Sequence, residues 1–551
     1  VSAILIFSAI MLALVLIGSP LLTIMGGATL LLFAIFMPEY RDVENLLIVI
    51  QKSEDLFTKQ EFLAIPLFTI SGAIMTAGGI AKRLISVAEA AFGWLPGGMA
   101  VAAIVACMLF GSITGSSPVT LIAIGSIMFP ALVRAGYPEN FALGLLTTAG
   151  SLGCLVPPSQ AMLFYSLSTT GSPAAVAPED MFLGGMLPAT FMAGLLMVYA
   201  VFKGLKVKEE RPAFTVRALL QAIRNGIWAL LLPGVVLGGI YGGFFTPSEA
   251  GGPAGVYAIV VTMVIYRELT FDGLKKALVD TAGLMGSLLP IIALSFGLNE
   301  FIALAEVKDS LEGWLIAKQF GPFEFLFMVN IFLIVIGALM DSISCTLIFA
   351  PMLAPIAWKL YGIDPVHFGV VFVVNMEIGY LMPPVATNLF VSAAVFRKPF
   401  GQVTRAVLPT LGLTCIGLFV LMYVPTLSKA ALNWKNGVAM YEAFPWNGRP
   451  ADPTDPTDAP TEVAAPVSAA PLAPVSAPAS EGAALDISDL TAKSMEGFDD
   501  EPASAPASGA ASAPSAPAAD PGKALDLNDL TQKAMDGFDD EAPASQAPAA
   551  P

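Results

Sequence analysis

The chain of 551 residues is 56% hydrophobic and 13% charged, with a formal net charge of −16. Soluble globular domains carry about 25% charged residues, so a chain this apolar reads as a polytopic membrane protein. Nearly all the net negative charge lies beyond residue 430, and no basic nucleic-acid footprint is present.

A membrane crossing needs about 20 apolar residues. The opening run from Ala3 to Phe36 has no charge and no small-residue cleavage pattern. It is too long for a signal-peptide core and reads as membrane-spanning, while Val1 at the start fits an alternative start codon or a truncation. Spans are expected at 4–17, 21–37, 62–80, 181–202, 226–243, 249–266, 281–300 and 406–425. Segment 39–61 mixes charges with Leu46, Leu47, Ile50, Leu56 and Phe57, a pattern that suits an amphipathic helix on the membrane surface or against a partner subunit. Two stretches, 141–170 and 366–396, are each broken by a Pro-Pro pair. Two others, 97–133 and 323–358, are interrupted near the middle by small and polar residues.

Basic loops orient the spans. Lys203, Lys206, Lys208, Arg211, Arg217 and Arg224 mark the 203–225 loop as cytoplasmic. Arg267, Lys275 and Lys276 mark a second such loop, and Arg397, Lys398 and Arg405 a third. The 171–180 loop has no Lys or Arg, carries Glu179 and Asp180, and is expected outside. Lys82, Arg83 and Arg134 flank 97–133, so both its ends are cytoplasmic and it is predicted to be a re-entrant hairpin. By the same count 323–358 re-enters from the opposite face. Ten spans and two hairpins put both termini outside.

An internal repeat runs through the chain. GSITGSSPVTLI at 111–122 aligns with GALMDSISCTLI at 337–348, and GCLVPPSQAMLF at 153–164 with GYLMPPVATNLF at 379–390. The offset is constant, placing Gly111 on Gly337, Ser116 on Ser342, Thr120 on Thr346 and Pro157-Pro158 on Pro383-Pro384. Each copy holds five spans and one hairpin; five is odd, so the second copy is inverted. Inverted repeats with helices broken at matching places point to a secondary transporter. The expected organisation is a first repeat at 1–203, a connecting loop at 204–225, a second repeat at 226–425 and a tail at 426–551. The fold class is thus an all-α polytopic membrane protein.

Enzyme chemistry finds little support. Cys107, Cys154, Cys345 and Cys415 lie far apart in apolar stretches and read as core filler. The lone His367 builds neither a histidine metal site nor a Ser-His-Asp triad, and no Walker-type loop is present. No cofactor is expected, and no metal beyond sodium as a coupling ion.

Irregular backbone at membrane depth is tolerated where it lines a cavity, and its carbonyls can replace the water shell of an ion. In the first repeat this logic selects the hairpin hydroxyls Ser116, Ser117 and Thr120 with the break around Gly150, Gly153 and Pro157. In the second it selects Asp341, Ser342, Ser344 and Thr346 with Gly379 and Pro383. Asp341 and Glu377 are ionisable groups inside apolar segments, functional candidates by default. Ser116, Ser159, Asp341, Glu377 and Asn388 are the candidates for substrate contact.

At these motifs the chain resembles a known family. FLAIPLFTISGAIMTAGGIAKRL at 62–84, FGSITGSSPVTLIAIGSIMFP at 110–130, GYP at 136–138 and GSLGCLVPPS at 150–159 resemble the large membrane subunit of tripartite ATP-independent periplasmic (TRAP) transporters, over about 1–425. The resemblance implies an elevator-type sodium symporter in the bacterial inner membrane, taking up a small organic acid. It implies a soluble periplasmic substrate-binding protein and a small four-span membrane subunit, here expected on a separate polypeptide, besides membrane lipid. A stand-alone ion-coupled dicarboxylate carrier of elevator design is the alternative. The chain departs from the arginine by which many members are thought to hold a substrate carboxylate. No Arg is central in 281–396, and the acidic pair Asp341 and Glu377 is present instead. Hydroxyls, helix N-termini, Asn299 or Asn388 remain for a carboxylate, or the substrate carries positive charge.

From about 450 the sequence turns to Ala, Pro, Ser and acidic residues, a composition expected to stay disordered. It contains a duplicated motif, ALDISDLTAKSMEGFDDE at 484–501 and ALDLNDLTQKAMDGFDDE at 524–541. Two tethered copies suit bivalent docking to an unknown protein, set against a merely solvated acidic tail.

Overall fold

In a hydrocarbon environment every backbone polar group must be satisfied within the protein, and a helix does this within one segment. Every regular element among the described residues is helical. The computed structural model describes residues 10, 21–37, 50–51, 54, 60–207, 213–339, 342–383 and 386–446. Nearly all of the 4–17 span, most of 39–61, Asp341, Pro384 and the duplicated tail motif lie outside the described residues.

The first copy runs through α1 (Leu21–Phe36), α2 (Gln60–Ala77), α3 (Ile80–Phe92), α4 (Gly98–Thr114), α5 (Ser117–Arg134), α6 (Glu139–Leu152), α7 (Gln160–Thr169) and α8 (Pro178–Gly204). The second follows as α9 (Val216–Tyr241), α10 (Gly251–Ile265), α11 (Phe271–Leu304), α12 (Val307–Lys318), α13 (Pro322–Leu339), α14 (Ser342–Tyr361), α15 (Pro365–Gly379), α16 (Thr387–Phe396) and α17 (Phe400–Tyr423), with α18 (Thr426–Lys435) closing the helical body. Among the described residues six helices are long and apolar enough to cross a membrane, or up to eight if each bent pair counts as one span. The bent pairs are α2 with α3, at 75°, and α6 with α7, at 47°.

Adding 226 to the residue numbers of α3 to α7 lands on α12 to α16 within two residues at every boundary. The contacts repeat too, but crosswise. Helix α2 packs on α10 while α11 packs on α1, and α6 lies along α17 while α15 lies along α8. The second halves of the broken helices swap in the same way, α7 onto α14 and α16 onto α5. Such exchange is what a two-fold rotation relating the copies produces, and neither copy could bury its apolar faces alone.

The hairpins show that the copies are inverted. Both ends of the α4–α5 hairpin stand at the C-terminal end of α8. Gly97 (φ 75°) backs onto Ala200, where an added Cβ would come to 2.6 Å from the carbonyl oxygen, and Gly136 faces Val207. Both ends of the α13–α14 hairpin stand at the other end of α8. There Phe325 stacks on Tyr361 at 4.3 Å and Phe323 on Tyr423 at 4.6 Å. Helix α18, which bonds to Asp364 just beyond α14, also reaches Asp180 at the start of α8. At 1.5 Å per residue α8 is about 40 Å long, enough to separate the two hairpin bases by the thickness of a bilayer.

Within each copy the first hairpin arm crosses the broken helix at a glycine pair. Gly111 of α4 meets Gly153 beyond α6, and Gly337 of α13 meets Gly379 of α15. Small residues let helix backbones approach closely in membranes. Residues 426–446 belong to this body, past the 425 boundary read from hydropathy. His367 bonds to Ser428 Oγ at 2.5 Å and to the Met422 carbonyl at 3.0 Å, and Thr426 Oγ1 donates to the Glu442 carbonyl at 2.9 Å.

Candidate functional site

The hairpin tips are built by the same bond in both copies. Thr120 Oγ1 donates to the Ser116 carbonyl at 2.9 Å, and Thr346 Oγ1 to the Ser342 carbonyl at 2.7 Å. A threonine bonded four residues back closes the first turn after the tip. In the first tip Gly115 takes the left-handed conformation (φ 61°), which only glycine adopts readily, and its N–H closes onto the Gly111 carbonyl at 2.7 Å. Thr114 Oγ1 then sits 3.0 Å from Thr120 Oγ1.

Both tips reach one cavity of about 1000 Å³. Ser116, Ser117, Ser342 and Thr346 line it, as do Glu377 and Tyr380 near the second break and Gln160, Ala161 and Thr387 at the starts of α7 and α16. Helices α2 and α11 form the facing wall. Gly72 of α2 is pressed against the first tip, where an added Cβ would stand 2.9 Å from Thr114 Cα. Gln160 Nε2 donates across the gap to Thr69 Oγ1 at 2.8 Å.

The other sequence candidates stand behind this surface. The Thr120 hydroxyl is committed to the tip turn, and Gly150 packs on Leu121. Gly153 and Gly379 hold the helix crossings. Ser159 caps α7 by accepting from the Met162 N–H at 3.4 Å. Pro157 and Pro158 are buried, Pro383 is exposed in the second break, and the buried Ser344 follows the second tip. Asn388 donates through Nδ2 to Ser117 Oγ and so ties the second broken helix to the first tip. Asn299 is used by the Leu347 carbonyl at 2.6 Å.

Sequence reading missed three features of the site. Ser151 Oγ stands 2.9 Å from Glu377 Oε2 and 3.0 Å from the Glu377 carbonyl oxygen. These two residues are 226 apart, so they are repeat counterparts in contact, and the two-fold axis passes between them. The offset itself was the available signal, since two polar residues at matching depth in both copies are candidates for the axis. Charged groups also stand on the cavity wall, Glu268 with Lys276 and Asp280 one helical turn apart on α11. Glu268 receives Arg83 Nη1 at 2.9 Å and Nη2 at 2.7 Å, and the Arg83 guanidinium lies 3.7 Å above the Tyr266 ring. The hydrogen bonds from Arg83 hold the Glu268 carboxyl below its usual range.

Two inverted copies of one helical unit, with four small polar segments meeting at a shared cavity, define a multi-pass membrane protein of the transporter class. The family model "Tripartite ATP-independent periplasmic transporter, DctM component" matches residues 8–427. The C4-dicarboxylate TRAP transporter large permease protein DctM of Pseudomonas aeruginosa is 39% identical over 411 residues, covering 74% of this chain and 93% of that protein. The protein of the same name from Rhodobacter capsulatus is 37% identical over 448 residues, covering 78% and 99%. Among solved structures, the YdaH transporter of Alcanivorax borkumensis is similar with a TM-score of 0.48 and 15% identity, over 73% of this chain and 91% of that one. The chain belongs to the DctM family and is a TRAP transporter large permease.

Proposed function

We propose that this permease carries out sodium-coupled secondary uptake of a small organic acid across the inner membrane. A periplasmic binding protein delivers the acid, and a small membrane subunit braces the permease. The observation that carries the reading is the meeting of both hairpin tips at one cavity, with the second break and the starts of α7 and α16 around it. Tip hydroxyls and break carbonyls are the oxygen donors a sodium ion takes in place of water. The relatives named for C4-dicarboxylates make a four-carbon diacid the first substrate to try. Lys276 is a basic group on the cavity wall that can meet a carboxylate.

Coupling assigns the tips to ions and the space between tips and the α2–α11 wall to the acid. Ser116 and Ser342, matched in the two copies, are the hydroxyls to test, with Asp341 beside the second. The assay is succinate uptake into proteoliposomes holding the permease, its membrane partner and the binding protein. Ser116→Ala, Ser342→Ala and Asp341→Asn should each raise the half-saturating sodium concentration about tenfold or more, the loss of about 1.4 kcal/mol of ion binding. Uptake that needs no sodium gradient, or unchanged sodium dependence in all three at normal protein levels, refutes the reading.

A further inference from the structure

Glu377 is the only Asp or Glu among the described residues that is buried, at 3% exposure, and it borders the cavity. No described Lys or Arg pairs with it. The charged groups on helices packed against α15 stand near helix ends, as Glu324, Lys359, Glu139, Asp180 and Lys429 do. A carboxylate taken out of water without a counter-charge is costly and is retained where it binds something.

The surrounding oxygens say what it binds. At the end of α15 the helix tightens, and the Leu381 N–H reaches the Ile378 carbonyl at 2.9 Å. The Glu377 carbonyl meets the Ser151 hydroxyl instead, at 3.0 Å, while Glu377 Oε2 lies 2.9 Å from the same hydroxyl. A serine hydroxyl has one proton, so it makes one strong hydrogen bond to this pair and leaves the other oxygen short of a donor. Three oxygens drawn together around one proton, one of them from a carboxylate, are the makings of a cation site.

We propose that the Glu377 carboxylate and carbonyl, with the Ser151 hydroxyl, form a single sodium site on the two-fold axis, separate from the paired tip sites. The inference rests on the sodium-coupled reading and adds a feature to it. The tips occur twice, but the counterpart of Glu377 is Ser151, so the two copies share one carboxylate. An anionic acid entering the cavity meets that negative charge unless a sodium ion has neutralised it. Sodium therefore binds before the acid, and the carboxylate enforces the order.

The test is equilibrium binding of radioactive sodium to the purified full chain, alone and with succinate uptake by the reconstituted system measured in parallel. Glu377→Gln should lose one sodium equivalent, and Ser151→Ala should weaken that equivalent about tenfold. Glu377→Asp should restore part of the binding. Ser151→Ala keeps the carboxylate and carries the test if Glu377→Gln is not monodisperse. Wild-type sodium stoichiometry and affinity in both variants overturn the proposal. So does unchanged sodium stoichiometry with a pH dependence of uptake that Glu377→Gln abolishes, which assigns the site to a proton. Where Ser116→Ala and Ser342→Ala lose sodium dependence but these variants do not, the axial site falls and the proposed function stands. Where none of them responds, both fall.

Discussion

The four glycines at the two helix crossings make a graded test of the repeat. An alanine at Gly111 would drive its Cβ onto Gly153, whose Cα would be 2.8 Å away and whose carbonyl would be closer still. At Gly153 the Cβ would stand 2.5 Å from the Cys107 carbonyl oxygen. In the second copy the fit is looser, with the Gly337 backbone 3.0 Å from a Cβ at 379, and 3.4 Å from a Cβ at 337 to the Gly379 Cα. Backbone cannot swing aside as a side chain can, so the first two substitutions must separate two helices. Overpacking costs about 1–3 kcal/mol, and Gly111→Ala and Gly153→Ala belong at the upper end. Gly379→Ala should cost about 1 kcal/mol and Gly337→Ala close to nothing, after the helix-propensity gain of alanine over glycine. At about 2–4 °C per kcal/mol, the first pair should lower the melting temperature of the detergent-solubilised permease by about 5–10 °C. Thermal unfolding followed by intrinsic fluorescence reads this directly. A Gly337→Ala loss as large as that of Gly111→Ala refutes the reasoning, because it makes the second crossing as tight as the first.

Two further outcomes follow from the packing. Arg83→Met should cost about 0.5–1 kcal/mol at neutral pH, a modest figure because the pair is partly exposed and screened by solvent. The folded Glu268 carboxyl titrates below its unfolded value, so the ion pair stabilises above the ordinary carboxylate range and is lost as pH falls through the depressed one. The gap in melting temperature between wild type and variant should therefore close on acidification, and a gap that persists below that range contradicts the assignment. Truncation after residue 446 should leave the melting temperature unchanged, whereas truncation after 425 should lower it by several degrees. The second cut removes Ser428 from His367 and Lys429 from Asp364, and equal melting for the two truncations would show that α18 does not support the body.

Hydropathy and the fixed offset made much of the architecture legible. The interrupted stretches at 97–133 and 323–358 are the α4–α5 and α13–α14 hairpins, and in the first of them the left-handed Gly115 is what ends α4. The Pro-Pro stretches are the broken helices, since proline removes a backbone donor and the residues before it avoid helical geometry. Helices α3 and α12 were not legible. Each is short, and α3 buries one face, with Ile80, Leu84 and Val87 inward and Lys82 outward, so neither stands out in a scan for long apolar runs. The bend before α3 is written at Gly79, which holds φ 70°, but a glycine pair in an apolar run does not announce its angle. The Asn388–Ser117 bond was beyond reach for another reason, since it joins residues whose offset differs from that of the repeat. Symmetry predicts only what both copies share.

The asymmetries are where the function has to be sought. Two copies related by a two-fold place equal hairpins at opposite ends of the fold, and under the proposed transport that equality would give inward- and outward-facing states similar energy. It gives no preference for an ion, an acid or an order of binding. Under the proposed function those come from positions where the copies differ and which touch the cavity or the hairpin tips. Glu377 faces Ser151 across the axis. Gln160 reaches Thr69 from the first copy, while its counterpart Ala386 has no side chain to reach with. Asn388 ties Ser117, while Met162 at the matching place is buried in the core. Substitutions at shared positions such as Thr120 and Thr346 should disturb both tips alike. Substitutions at unshared ones should separate ion dependence from substrate choice, because each alters one face of a cavity that the repeat alone would have made symmetric.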